Sequence, residues 1–285
     1  MTVRNVSDTA RWVAWYRAEE SERPDALFHD PFARRLAGPH GADIIRSLPG
    51  ARRLSGVMTV RTCLFDELIL GTIRTDAVDT VLNLACGFDA RPYRLQLPPQ
   101  LSWIEVDLPP LMEEKRPALA GERPACRLES VALDLADAAA RAAFFQRVGA
   151  GSRRTLILTE GLLAYLAPDA VLDLARALHA QPSFALWIMD LASPDILKHA
   201  MKRTNARLAA ANAALRFAPE EGEEFFRPTG WEPMEFRQTA GEARRLGREA
   251  PFAWVWHLLF RLSSPARRAE FARRYRAGVA LLRRA

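Results

Sequence analysis

The sequence predicts an α/β fold, a doubly wound and mostly parallel sheet with helices on its faces. Three observations carry that expectation. Residues 80–94 read T-V-L-N-L-A-C-G-F-D-A-R-P-Y-R: an apolar run stops at small residues, and an acid and two arginines follow. A buried parallel strand hands over to a tight, ligand-facing turn in this way. Beyond it, apolar runs and helical patterns alternate, as they do in successive βα units. Each apolar run also ends at or just before an acid, in turn Asp89, Asp107, Asp134, Glu160 and Asp190. Ligands of open α/β sheets bind at that carboxyl edge.

Ser7-Asp8-Thr9 is a cap signal ahead of an aromatic-rich helix carrying Trp12, Trp15, Tyr16 and Glu19, which Pro24 ends. Trp12 and Trp15 read as packing residues, or as part of a lid over a pocket. Asp30-Pro31-Phe32-Ala33 opens a short helix with proline in the favoured first position, and Gly38-Pro39 stops it. Residues 54–73 form the longest helical pattern of the first third, with Val57, Val60, Leu64, Phe65, Leu68 and Ile69 as its apolar stripe. Arg61 lies on that stripe. A guanidinium there snorkels to water, pairs with Asp66 or Glu67, or holds a ligand carboxylate, and periodicity leaves these open.

The first strand stops at Ala85-Cys86-Gly87, where glycine takes positive φ at little cost. Residues 101–106 are the second strand, ending at Asp107, and 109–119 the helix after it. Strand 127–133 ends in Asp134-Leu135 and is followed by helix 138–148. Strand 155–159 ends in Glu160-Gly161, and helix 168–180 leads to strand 184–189. Units of this length imply parallel pairing with right-handed crossovers. Ser193-Pro194 just beyond Asp190 makes that acid read as a helix cap. Phe271, Tyr275, Val279 and Leu282 recur on one helical face, which predicts a packed C-terminal helix with a solvated basic side.

With 285 residues the chain can bury a full core. We divide it into an N-terminal helical cap (1–75), a ligand-binding core (76–240) and a C-terminal helical extension (241–285), together one structural unit. The first residues are polar and charged, so no secretory signal is expected. No apolar run is long enough to cross a membrane; the richest, 252–262, contains His257 and Arg261. Cys63, Cys86 and Cys126 are far apart and odd in number, which argues against a disulfide framework and for the cytoplasm. No Cys or His pair has zinc spacing, so no structural metal is expected. The net charge is +6, but the segment from Arg261 onward has eight arginines and one acid, leaving −1 for the remainder. Basicity confined to one end speaks against nucleic-acid binding.

An acid ending the second strand typically takes the hydroxyls of an adenosine ribose, and Asp107 holds that place. Dinucleotide enzymes want G-x-G-x-x-G at the first turn. Here the turn is A-C-G-F-D-A, with Asp89 where a pyrophosphate would be repelled. A cofactor without phosphates fits better, and S-adenosylmethionine is one.

These residues together resemble the leucine carboxyl methyltransferase-like family of class I S-adenosylmethionine-dependent methyltransferases, which includes many bacterial O-methyltransferases of polyketide and other secondary metabolism. The likeness rests on Asp30-Pro31-Phe32-Ala33, Arg61-Thr62 with Phe65-Asp66-Glu67, Leu84 to Arg91 with Tyr93-Arg94-Leu95, and Trp103 to Pro109 with Lys115. It continues through Asp134-Leu135, Glu160 to Leu166 and Gly230-Trp231. The resemblance implies a Rossmann-like, seven-stranded sheet with the last strand antiparallel, 232–237 supplying a late strand. It implies that Arg61 holds the carboxylate of the cofactor's methionine moiety. Ala85 and Gly87 would line the cofactor, Asp107 the ribose, Asp134 and Leu135 the adenine, and Glu160 the amino and sulfonium end. The family usually has glycine where this chain has Ala85.

The expectation is therefore methyl transfer to a carboxylate or hydroxyl oxygen of a small-molecule or carrier-bound acceptor, with S-adenosylhomocysteine as product. A carboxylate acceptor is already ionised at neutral pH and needs no base. A hydroxyl acceptor would use one, and His29 and Tyr165 are the candidates, though each also reads as a loop or packing residue. The basic C-terminal helix is a possible docking face for an acidic partner. The alternatives are a catalytically silent relative that acts through partner binding, and a nicotinamide-dependent oxidoreductase.

Overall fold

The computed structural model describes residues 7–47, 51–200, 202–209, 213–249 and 263–285. Three helices come first: α1 (Ser7–Ser21), α2 (Ala33–Ser47) and α3 (Ala51–Thr75). Gly38 in α2 has φ 59°, so Gly38-Pro39 kinks the helix and the chain resumes helical geometry beyond it, where the sequence predicted a stop. The alternating region follows as β1 (Thr80–Leu84), α4 (Arg91–Arg94), β2 (Ser102–Asp107), α5 (Pro109–Ala118) and β3 (Arg127–Ala132). It continues with α6 (Ala138–Gly151), β4 (Thr155–Thr159), α7 (Pro168–His179) and β5 (Phe184–Ala192). The last part holds α8 (Lys202–Ala209), β6 (Trp231–Gln238), α9 (Thr239–Arg245), α10 (Pro265–Arg274) and β7 (Ala277–Arg284).

The strands make one seven-stranded sheet in the order β3-β2-β1-β4-β5-β7-β6. Pairings among β1 to β5 are parallel, and β7 runs antiparallel to both β5 and β6. The chain winds outward from β1 in one direction and from β4 in the other, so a crevice falls at their carboxyl ends. Every residue of β1 and β4 is buried, because helices cover both faces. Leu82, Leu84, Ile157, Trp187 and Met189 pack with Phe145, Val148, Leu174 and Leu178 of α6 and α7. Val81, Leu156, Leu158 and Ile188 pack instead with Leu64, Phe65 and Ile69 of α3.

The cap has its own apolar cluster of Trp12, Tyr16, Ile44, Leu208 and Ala213, with Met58 and Tyr165 against it. Trp12 is thus a packing residue, its ring 6.0 Å from that of Tyr16. Trp15 is half-buried beneath the Arg34 guanidinium, 4.0 Å from the ring centroid.

Two expectations need correcting. β5 runs to Ala192, so Asp190 is a strand residue rather than a cap. And the helical face of Phe271, Tyr275, Val279 and Leu282 is not continuous: α10 stops at Arg274, and Val279 and Leu282 lie in β7, paired between β5 and β6. A strand buried on both sides reads as an unbroken apolar run, and spacings of four and three residues within it mimic a helix. The segment 241–285 is therefore no separate helical extension, since its last strand completes the core sheet.

Gly278 in β7 pairs with both neighbouring strands, and a Cβ built there would lie 2.2 Å from the Arg237 carbonyl oxygen. Gly278→Ala is expected to cost about 2–3 kcal/mol, because backbone has to move. A denaturant midpoint within error of the parent would contradict that contact.

The three cysteines are buried and free. Among the described residues, no helix is long and apolar enough to cross a membrane. The apolar stretch 252–262 lies outside the described residues.

Candidate functional site

The carboxyl ends of β1 and β4 carry a continuous chain of buried ion pairs. It starts in the cap with Arg17 of α1, 3.0 Å from Asp30. Arg94 of α4 lies 3.9 Å from Asp30 and 2.7 Å from Asp66 of α3. Arg91 then bridges Asp66 at 2.6 Å, Asp89 at 2.8 Å and Glu160 at 2.7 Å. Glu160 meets Arg61 of α3 at 3.1 Å, and Arg61 meets Asp190 of β5 at 3.1 Å. The side chains are between 0% and 22% exposed, Asp190 the most open. Charges at this depth persist only when paired and hydrogen-bonded. The chain stitches the helical cap to the sheet, and the Arg17 guanidinium also donates to the Phe88 carbonyl oxygen at 2.6 Å.

Two of the three possibilities left open for Arg61 are set aside, because its partners are Glu160 and Asp190. It neither snorkels to solvent nor pairs with Asp66 or Glu67. Asp66 is taken by Arg91 and Arg94, and Glu67 by Arg237 and Arg245. Asp190 is held from a second side by the Gly161 N–H, 2.6 Å from its Oδ1. Gly161 has φ 69°, and a Cβ there would sit 3.4 Å from Arg61 Nη1, so the turn after β4 is moulded to the guanidinium.

The turn after β1 is closely approached by α1, a Cβ built at Gly87 lying 3.2 Å from the Ala10 Cβ. Gly87 has φ 52°, and its N–H donates to Asp107 Oδ2 at 2.7 Å, while the Leu108 N–H donates to Oδ1 at 2.8 Å. Burial lifts the Asp107 carboxyl above its ordinary value despite those two donors. Beneath the turn, fully buried Lys115 sits 2.7 Å from Glu105 and 3.5 Å from Cys86 Sγ. Burial pushes the Cys86 thiol well up, so it is inert as a nucleophile at neutral pH.

Ala85 also has positive φ, at 52°, where an L side chain is strained by about 1–2 kcal/mol. Ala85→Gly removes that strain but loosens the unfolded chain, by about 0.5–1 kcal/mol. The expected result is a gain of up to about 1 kcal/mol in chemical unfolding; a clear loss would mean that the alanine methyl does useful packing.

Electrostatics set the acid limit of the fold. Burial opposes the charged form of Asp89, but Arg91, with Arg17, Lys115 and Arg94, holds it well below the usual carboxylate range. Glu160 is likewise depressed, burial being outweighed by Arg91 and Arg61. Groups depressed in the folded state bind fewer protons there than in the unfolded chain. Their contribution is present above the ordinary values of 3.8 and 4.5 and is lost as pH falls through the folded values. Asp107, raised by burial, works the other way, but one group opposes two. The thermal midpoint is expected to fall steeply below about pH 4; a midpoint still flat at pH 3 would show that the pairs contribute nothing.

Of the residues expected from sequence, the structure brings Arg61 and Glu160 together on one side of the crevice, and Ala85, Gly87 and Asp107 at the β1 turn. Asp134 and Leu135 stand at the end of β3 outside the ion chain. Asp134 is exposed and accepts the Ala136 N–H, and Leu135 is half-buried against the core. His29 is exposed in its loop, and Tyr165 packs in the cap cluster. Arg17, Asp30, Asp66, Asn83, Arg91 and Arg94 were not singled out as site residues. Asn83 donates to Asp89 at 2.9 Å. Asp30, Asp66, Arg91 and Arg94 stand in the motifs that carried the family resemblance, whereas Arg17 and Asn83 had no such mark.

S-adenosylmethionine carries an ammonium and a carboxylate on one carbon, and Arg61 and Glu160 suit that pair of charges. Arg61 Nε and Glu160 Oε1 are 3.1 Å apart, yet both are buried and neither has an aligned hydrogen bond among the described residues. A ligand carboxylate beside the guanidinium and a ligand ammonium beside the glutamate would satisfy both. The carboxylate of Asp107 against a left-handed turn suits a ribose. The residues present fit the group.

This sheet order, with its antiparallel seventh strand and acid-lined crevice, defines the architecture of the class I S-adenosylmethionine-dependent methyltransferases. Two solved structures show the same fold. A DUF574 family protein of Streptomyces avermitilis superposes with a TM-score of 0.63 at 14% identity, covering 97% of both chains. A protein of Thermobifida fusca provisionally named a methyltransferase superposes with a TM-score of 0.57 at 15% identity, covering 100% of this chain and 96% of that one. The family model for leucine carboxyl methyltransferase matches residues 10–179, and the chain belongs to that family. A Rhodococcus jostii relative is 40% identical over 182 residues, with 60% of each chain covered. One from Mycobacterium marinum is 33% identical over 236 residues, covering 72% of this chain and 71% of its own. Both are provisionally named S-adenosyl-L-methionine-dependent methyltransferases.

Proposed function

We propose that this chain binds S-adenosylmethionine at the β1–β4 crevice and catalyses transfer of its methyl group to an oxygen of a small-molecule or carrier-bound acceptor. The misaligned Arg61–Glu160 pair is the observation that carries the reading. When bound, the cofactor would supply an electrophilic methyl on a sulfonium, with the neutral thioether as the leaving group. The protein's own part is to hold and exclude. Arg61 orients the carboxylate, Glu160 the ammonium and Asp107 the ribose, while α1 and α3 keep water from the reacting centre.

A carboxylate acceptor is favoured over a hydroxyl. Burial pushes the Tyr165 phenol up, away from a role as base at neutral pH, and His29 is exposed in its loop. An acceptor already ionised needs no such group. Exposed Arg267, Arg273 and Arg274 on α10 make an acidic carrier part of this proposal, and the three free, buried cysteines support a reducing cytoplasmic setting as part of it.

Isothermal titration with S-adenosylmethionine, followed by a mass-spectrometric screen of carboxylic acids and phenols for a gain of one methyl, tests the reading. Saturable binding and methyl esters are expected. No heat from folded protein at millimolar cofactor would overturn it, and binding without any turnover would favour a silent, partner-binding relative.

A further inference from the structure

The ion chain is unbalanced. Among the described residues it joins four guanidiniums (Arg17, Arg94, Arg91, Arg61) to five carboxylates (Asp30, Asp66, Asp89, Glu160, Asp190), one negative charge in excess. Lys115 and Glu105 add nothing, being a closed pair at 2.7 Å. The excess resides at one end. Arg17 faces Asp30, Arg94 faces Asp66 and Arg91 faces Asp89, which leaves the Arg61 guanidinium shared between Glu160 and Asp190, its aligned hydrogen bond going to Asp190, which also takes one backbone N–H. Asp190 is also the most open member, so its charge is the one best able to act on a bound molecule.

Resting on the cofactor reading above, we propose that Asp190 is a specificity determinant that makes the site prefer the sulfonium cofactor to its own product. S-adenosylmethionine has a net charge of +1 at neutral pH, from a sulfonium, an ammonium and a carboxylate. Transfer of the methyl to the acceptor leaves the sulfonium's bonding pair on sulfur, so S-adenosylhomocysteine is a neutral thioether zwitterion. The two ligands share every polar contact that Arg61, Glu160 and Asp107 can make. They differ by one charge, which a site whose carboxylates outnumber its cations distinguishes at low effective dielectric. Product then leaves because the reaction has removed the charge that held it.

The experiment measures calorimetric dissociation constants of S-adenosylmethionine and S-adenosylhomocysteine for the parent, Asp190→Asn and Asp190→Ser. Both variants keep an oxygen for the Gly161 N–H and drop the charge. The parent is expected to bind S-adenosylmethionine about tenfold tighter than S-adenosylhomocysteine. Both variants should bring that ratio near one, mainly by weakening S-adenosylmethionine. A merely structural role would weaken both ligands alike and leave the ratio unchanged, which overturns the proposal. Equal affinities in the parent overturn it too, with the cofactor reading intact; binding of neither ligand by folded parent overturns both.

Discussion

Arg91→Met is expected to be the most destabilising single change in this protein, costing about 3–5 kcal/mol. The Arg91 side chain is 3% exposed and meets Asp66, Asp89 and Glu160 within 2.8 Å. Methionine fills much of the same volume, so the loss is electrostatic rather than a cavity. Asp89 is then left with Asn83 and the residue 91 N–H, at a depth where an uncompensated carboxylate is costly. Against typical stabilities of about 5–15 kcal/mol this is a large fraction, and the thermal midpoint should fall by roughly 10 °C. Arg147→Met is the control. Its pair with Glu129 is about half exposed on both sides and is worth less than about 1 kcal/mol. Comparable losses in the two variants would show that burial of the Arg91 junction confers nothing special.

Arg61→Met is expected to abolish cofactor binding while leaving a folded protein. Truncating one partner of a buried charge pair costs about 2–5 kcal/mol in binding, so the dissociation constant should rise by roughly 100-fold or more. Stability should fall far less than for Arg91→Met, because Glu160 keeps Arg91 and Asp190 keeps the Gly161 N–H. Arg61→Lys should recover only part of the affinity, since an ammonium lacks the planar fork that meets a carboxylate edge-on. Calorimetric titration separates the effects; undiminished affinity in Arg61→Met would mean that the methionine moiety lies elsewhere.

Part of this site was legible before any coordinates. The acids at the rim could be placed because a parallel strand ends where its apolar run ends, and that is a local property. The turn at 85–87 announced itself through small residues that only a close-approaching backbone requires. Asp190 was misread because its strand and the turn after it share polar, turn-forming residues, and only pairing with β7 shows that β5 continues to Ala192. Val279 and Leu282 were misread because their spacing fits both a helix and a doubly buried strand.

By itself the sequence determined the α/β class, the βα units from β1 to β5, and the identity of Arg61, Asp107 and Glu160 as residues set apart by charge in apolar surroundings. Hydrophobic periodicity and turn chemistry act over a few residues, so they can be read directly from the chain. The tertiary structure alone decided which guanidinium meets which carboxylate, as with Arg61 and Asp190, 129 residues apart. It also decided that the final strand lies inside the sheet. Such pairings depend on how distant segments pack, and a charged side chain carries no local mark of the partner it will find.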